Sequence, residues 1–185
     1  MTAGESTSQD SAAQHAHLKA SGTSAATEPR TSLPEHALDA LLCFDIYAAS
    51  RALTRAYRPL LEPLGLTYPQ FLVMQSLWEA EALNPPENFT PPTVGALGER
   101  LALDSGTLSP LLKRLEAAGL VARERSRQDE REVAVLLTPV GRELKVRASH
   151  VPAEITRLVA LSERERLTLQ ATLRRMRQNV EQTGE

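Results

Sequence analysis

Apolar residues recur at helical spacing along one long stretch of this chain. Leu38, Leu41, Leu42, Ile46, Ala49, Leu53, Ala56 and Leu60 follow at intervals of 3, 1, 4, 3, 4, 3 and 4. An α-helix gathers such positions on one face. A long amphipathic helix is therefore predicted to begin near Pro34, a residue suited to a first helical turn. The breaker residues of Glu62-Pro63-Leu64-Gly65 end it. A second helix is expected from about Pro69 to Glu81. Phe71, Leu72, Val73, Met74, Leu77 and Trp78 make it apolar nearly all round, so it should be buried. Aromatics are only 4% of the chain, and the dominance of Leu, Ala, Arg and Glu favours helix over sheet.

Residues 84–92, Asn-Pro-Pro-Glu-Asn-Phe-Thr-Pro-Pro, read as a Pro-rich loop that cannot be helix. Two short helices follow. Thr93 precedes Val94, Leu97, Leu101 and Leu103, and a turn at Asp104-Ser105-Gly106 leads into Leu108, Leu111, Leu112 and Leu115. Two starts compete for that second helix, a cap at Asp104-Ser105 and the pair Ser109-Pro110. Gly119 supplies its stop. The period then changes. Residues 120–125 and 132–137 are extended in character and flank the polar turn 126–131, which predicts a two-stranded hairpin with a charged tip. Thr138-Pro139 and the capping box of Ser162 with Glu165 each open a later helix. The order is helix-helix-helix-helix-hairpin-helix-helix.

Residues 1–32 hold one large aliphatic residue, Leu18, and are expected to be a disordered tail. His15 and His17 within it are read as incidental, since ordered metal sites need about four ligands. No metal or cofactor is expected. A single cysteine excludes an internal disulfide framework and a Cys-rich zinc site. No apolar run approaches the ~20 residues of a membrane span, and no basic start with an apolar run marks a signal peptide. The expected location is the cytoplasm, with no membrane partner. The net charge of -2 excludes a histone-like polycation. Between residues 111 and 127, however, five cations (Lys113, Arg114, Arg123, Arg125, Arg127) face two anions (Glu116, Glu124). Two short helices followed by a locally basic hairpin describe a winged helix-turn-helix, mainly α with a small β-hairpin wing. Its second short helix would enter a DNA major groove and its hairpin tip would reach an adjacent minor groove.

Cys43 is the one cysteine, and Tyr47, Tyr57 and Tyr68 are all the tyrosines. A lone cysteine on an apolar helix is most often inert. Tyr47 lies four residues on, on the same face. Tyr57 lies fourteen residues on, roughly 21 Å along a straight helix at ~1.5 Å per residue. It could meet a partner's Cys43 if two such helices ran antiparallel about a two-fold axis.

These residues carry a resemblance. Leu41-Cys43-Phe44-Tyr47, Tyr57-Arg58-Pro59-Leu60-Leu61 and Leu66-Thr67-Tyr68-Pro69-Gln70-Phe71 resemble the sensing region of organic hydroperoxide resistance regulators, thiol-switch repressors within the MarR family. Leu103-Asp104-Ser105-Gly106-Thr107-Leu108 and Pro110-Leu111-Leu112-Lys113-Arg114-Leu115 resemble their recognition-helix region. Ala118-Gly119-Leu120-Val121 and Asp129-Glu130-Arg131 resemble the strand and wing that follow. The resemblance covers roughly residues 33–160. It implies that Cys43 is the peroxide-reactive thiol, that Tyr57 and Tyr68 hydrogen-bond it from the partner subunit, and that Tyr47 lines the same pocket. It implies a homodimer that represses a hydroperoxide-reductase gene until oxidised. The dimerisation helices would be 33–62 and 138–182 of a domain spanning 33–185, with 68–137 as the DNA-binding winged helix.

The candidate DNA-binding residues are Asp104, Ser105, Thr107, Ser109, Lys113, Arg114, Arg125, Arg127 and Arg131. Asp129 and Arg131 are read as a wing-ordering ion pair. An apolar pocket of Phe44, Ile46, Phe71 and Met74 would favour a peroxide with an organic tail. The helix dipole is expected to help the thiol little, with Cys43 more than two turns from the helix start. The family's second cysteine, present in some members, is absent here. A low-molecular-weight thiol is therefore the expected mixed-disulfide partner of oxidised Cys43. The alternatives are a MarR-type regulator that releases double-stranded promoter DNA on binding a small aromatic ligand, and a thiol peroxidase. The peroxidase gives no reason for the basic hairpin. A Cys-His hydrolase is weaker still, because His36 lies seven residues from Cys43 and His150 has no evident orienting acid.

Overall fold

A computed structural model describes residues 38–84, 89–126, 129 and 131–183. The tail 1–32, the helix start at Pro34 and the wing-tip Arg127 lie outside the described residues. The chain divides after Ala40, and of the first unit only a 3-10 turn at Leu38–Ala40 is described.

The second unit opens with α1, Leu42–Leu61, followed by a 3-10 turn at Glu62–Leu64. Gly65, at φ 69°, caps that turn in the left-handed region that glycine enters without strain. The predicted breaker segment thus ends the helix as expected. The start differs. Leu41 is extended (φ -91°, ψ 111°) and its carbonyl accepts the N–H of Phe44 at 2.9 Å, so α1 begins after it. Apolar spacing runs straight through Leu41 and cannot register a backbone change at one residue.

Helix α2, Tyr68–Leu83, carries the centre of the core. Phe71, Val73, Met74, Leu77 and Trp78 are all buried, as its all-round apolar surface predicts. Gln70 reaches back to accept the backbone N–H of Thr67 at 2.8 Å, which fixes the first turn. Beyond the Pro-rich loop, the N–H of Val135 donates to the carbonyl of Pro92 at 2.9 Å, and Thr93 bridges Ala134. The end of the loop thus lies along the hairpin as a short third edge. Proline fits there because it accepts without needing to donate.

Helices α3 (Val94–Leu101) and α4 (Ser105–Ala117) form the two short helices. The Asp104 cap prevails over Ser109-Pro110, and Ser105 and Gly106 are helical rather than a turn. Pro110 therefore sits inside α4, on its exposed side. Helix α4 ends in a paired closure: the N–H of Gly119 donates to Glu116 O and that of Leu120 to Leu115 O. This reversal sends β1 (Val121–Arg125) back toward α4, antiparallel to β2 (Val133–Leu137), with Val121 opposite Leu137.

Three helices follow the hairpin, not two: α5 (Pro139–Ala148), α6 (Val151–Val159) and α7 (Glu163–Thr183). The break between α5 and α6 has its cause in Pro152, which has no N–H to offer the carbonyl four residues earlier. Thr138 caps α5 by accepting the Gly141 N–H at 3.0 Å. Ser162 and Glu165 form the expected capping box before α7. Helix α1 packs on α2 and α6, while α7 buries none of its residues within the chain.

Candidate nucleic-acid interface and sensing residues

The DNA-facing candidates are set by the two ends of α4. At its start, Asp104 Oδ1 accepts the Thr107 N–H at 2.8 Å, and Oδ2 accepts the Thr107 hydroxyl at 3.0 Å. Asp104 is thus occupied as a cap, which satisfies donors the helix cannot pair internally. Ser105, Thr107, Lys113 and Arg114 are exposed along α4, while Ser109 is half-buried. Arg125 and Arg131 are exposed on the hairpin.

The bonds from Thr107 hold the Asp104 carboxyl below its ordinary value of 3.8. A depressed carboxyl stabilises the fold above its unfolded value, and that contribution is lost as pH falls through the lowered one. The cap should therefore persist through neutral pH and fail only in acid. Asp104→Ala should lower the thermal midpoint and weaken DNA binding. Asp104→Asn, which keeps an acceptor for Thr107, should preserve both. Thermal unfolding and DNA titration of the two variants check this.

Sequence reasoning missed the partner of Arg123. Its Nε and Nη2 donate to Glu116 Oε2 at 3.0 and 2.6 Å. The pair joins β1 to α4, and it removes one cation from the five counted in the sequence. The two residues are seven apart, and only the reversal at Gly119 brings them face to face. Asp129 and Arg131 also differ from expectation. Asp129 Oδ1 accepts the backbone N–H of Arg131 at 2.9 Å, and no ion pair joins their side chains. Asp129 orders this part of the wing by an Asx-type turn, which leaves the Arg131 guanidinium outside that contact.

The sensing candidates fall into two groups. Cys43 is exposed in the first turn of α1, and Tyr47 is 59% exposed, with the Arg51 guanidinium 5.9 Å from its ring centroid. The later helix start corrects the expected position of the thiol: Cys43 is the second residue of α1, not a residue more than two turns in. At the other end of α1, the rings of Tyr57 and Tyr68 lie 4.4 Å apart, and Tyr57 meets Phe71 at 5.9 Å. Burial raises both phenols above 10.0, and for Tyr57 the neighbouring Tyr68 adds to it. Both are therefore neutral donors at physiological pH. Because α1 is continuous, the two groups remain roughly 21 Å apart within one chain. The expected pocket of Phe44, Ile46, Phe71 and Met74 does not form within the chain, since Phe71 and Met74 are used by the core. Among the described residues no cluster suited to a metal ion is found, and no helix is long and apolar enough to cross a membrane.

Comparison with known proteins agrees with this architecture. Residues 55–147 match the family described as transcriptional regulator SarA/Rot. The chain is 47% identical over 143 residues to the HTH-type transcriptional regulator TtmR of Methylorubrum extorquens (strain PA1), covering 77% of this chain and 69% of that protein. It is 48% identical over 118 residues to the organic hydroperoxide resistance transcriptional regulator of Bacillus subtilis (strain 168), covering 64% of this chain and 74% of that protein. Among solved structures it is similar to AbfR of Staphylococcus epidermidis, with TM-score 0.62 and 30% identity over 76% of this chain and 91% of that one. Reduced AbfR bound to DNA matches with TM-score 0.61 and 30% identity over 78% and 92% of the two chains. Its overoxidised form, also on DNA, matches with TM-score 0.58 and 32% identity over 74% and 90%. Helix-turn-helix, wing and relatives alike place the chain among regulators rather than enzymes: it belongs to the SarA/Rot family of MarR-type winged-helix transcriptional regulators.

Proposed function

We propose that the chain is a homodimeric repressor that leaves promoter DNA when an organic hydroperoxide oxidises Cys43. One observation carries the sensing half of this reading. Cys43 stands exposed at one end of α1, and two half-buried neutral phenols stand at the other. Neither phenol has a hydrogen-bond partner among the described residues, and one chain cannot bring them to the thiol. Two α1 helices running antiparallel about a two-fold axis unite them twice. The exposed apolar residues Leu42, Leu158, Leu161, Leu167 and Leu173 supply the surface for such a dimer.

In that arrangement Tyr57 and Tyr68 of one protomer donate to the sulfur of the other. The sulfur reacts as its thiolate. The thiolate attacks the hydroxyl oxygen of the hydroperoxide, the O–O bond breaks, and the alkoxide leaves as an alcohol on taking a proton from solvent, with a sulfenic acid formed on Cys43. The sulfenic acid then condenses with a low-molecular-weight thiol, losing water and forming a mixed disulfide. The bulky polar adduct disrupts an apolar seam that also sets the spacing of the two recognition helices. That overoxidised AbfR is found on DNA is compatible with a release signal other than overoxidation.

For DNA, α4 offers Ser105, Thr107, Lys113 and Arg114 to the major groove, and the wing offers Arg125 and Arg131 to the backbone or minor groove. The test titrates a duplex, selected by the wild-type chain from a random pool, against an organic hydroperoxide and, separately, against small aromatic acids. Release by hydroperoxide alone supports the reading. Release by an aromatic acid with the thiol still reduced would support reversible ligand sensing instead.

A further inference from the structure

We infer that Glu116 and Arg123 form a positioning pair, which sets the angle between recognition helix α4 and the wing for simultaneous DNA contact. The inference rests on the DNA-binding reading of those two elements. Glu116 lies in the last turn of α4 and Arg123 at the middle of β1. Their contact is a fork, with two N–H groups on one carboxylate oxygen, and both side chains are about one-third exposed (30% and 37%). A fork fixes direction as well as distance, which a flexible ammonium does not. The α4–β1 junction is pinned once more. The Thr138 hydroxyl donates to Gly119 O at 2.6 Å and the Thr138 N–H to Leu120 O at 3.1 Å. That second pin holds the turn itself. The ion pair acts further along the strand, where it controls how the hairpin leaves α4.

Charge and geometry make opposite predictions here. Glu116 is an anion on a surface that must meet phosphates. If it acted only through its charge, Glu116→Ala would tighten DNA binding and steepen the salt dependence. As a positioning residue, Glu116→Ala, which removes the acceptor of the fork, should weaken binding to the selected duplex on the order of fivefold, within the range for coupled neighbours. Binding to a scrambled duplex of the same composition should change little. Arg123→Lys keeps the cation and loses the fork, so it should show the same selective loss. The double charge reversal Glu116→Arg with Arg123→Glu restores an opposed pair at unchanged net charge, and it should recover most of the affinity.

The experiment measures selected and scrambled duplex binding for the full-length variants, with thermal midpoints alongside. A selective loss in Glu116→Ala and Arg123→Lys, with recovery in the double reversal, supports the pair. Unchanged or tighter binding by Glu116→Ala overturns it, as does equal loss on both duplexes. If Glu116→Ala fails to fold, Arg123→Lys decides alone by the same selective-loss criterion. A wild-type chain that retained no duplex would overturn the DNA-binding reading and this inference with it.

Discussion

Cys43→Ser should bind the selected duplex as tightly as the wild-type chain and should no longer release it on exposure to an organic hydroperoxide. Cys43 lies at the start of α1, and the DNA candidates lie on α4 and the hairpin. Replacing sulfur by oxygen preserves the size of an exposed side chain and removes the nucleophile, so the unoxidised state is untouched while the response is lost. Met oxidation is the competing route. Met74 is buried in the core and Met176 half-buried on α7, so both are slower targets than an exposed thiol. Duplex binding of both proteins, before and after cumene hydroperoxide, checks this. A Cys43→Ser protein that still leaves DNA would remove Cys43 from the sensing role.

Gly141→Ala should unfold the domain at a much lower temperature. Gly141 lies in the first turn of α5, where a Cβ would run into the backbone carbonyl of Leu120. That carbonyl also accepts the Thr138 N–H, and the Gly141 carbonyl accepts the buried Trp78 indole N–H at 2.9 Å. Neither backbone can yield without breaking a bond that the core needs. A cost of about 3 kcal/mol follows from overpacking at such a contact, a fall of roughly 10 °C for a domain of this size. Gly95→Ala is the contrast. Its Cβ would meet only Thr93 Oγ1 at 3.7 Å, an ordinary contact in a helix that gains from the change. Thermal unfolding of both variants is the measurement, and equal midpoints would show the contact between Gly141 and Leu120 to be compliant.

Much of this fold is written locally. Thr93, Thr138 and Ser162 each put an acceptor at a helix start, and the change from helical to alternating period marks the hairpin. Those signals act over a few residues, so sequence exposes them. The start of α1 carries no such mark, because Leu41 has no polar cap to announce it. The break between α5 and α6 is marked in the sequence only by Pro152, whose ring a helix interior does not accept. Pro110 shows two local rules in conflict, with the bonds of Asp104 to Thr107 outweighing the proline's missing donor.

The candidate site was legible in kind more than in arrangement. The cysteine and tyrosines can be picked from the sequence, and the helix that separates them could be drawn. The sequence does not tell which face of an all-apolar helix meets which neighbour, and Phe71 and Met74, which by composition suit a pocket, are used by the core. Glu116 and Arg123 meet only through a chain reversal, and no periodicity reports that.

The sensing account is tested most directly by following DNA release and Cys43 chemistry on the same sample. Wild-type chain bound to the selected duplex is titrated with cumene hydroperoxide in the presence of a small thiol, and each point is split between fluorescence anisotropy and intact-mass analysis. The account predicts that the fraction released tracks the fraction carrying a thiol adduct on Cys43, and that reductant reverses both together. Release with Cys43 unmodified, full modification with the duplex still bound, or a Cys43–Cys43 covalent dimer in place of the adduct would contradict it.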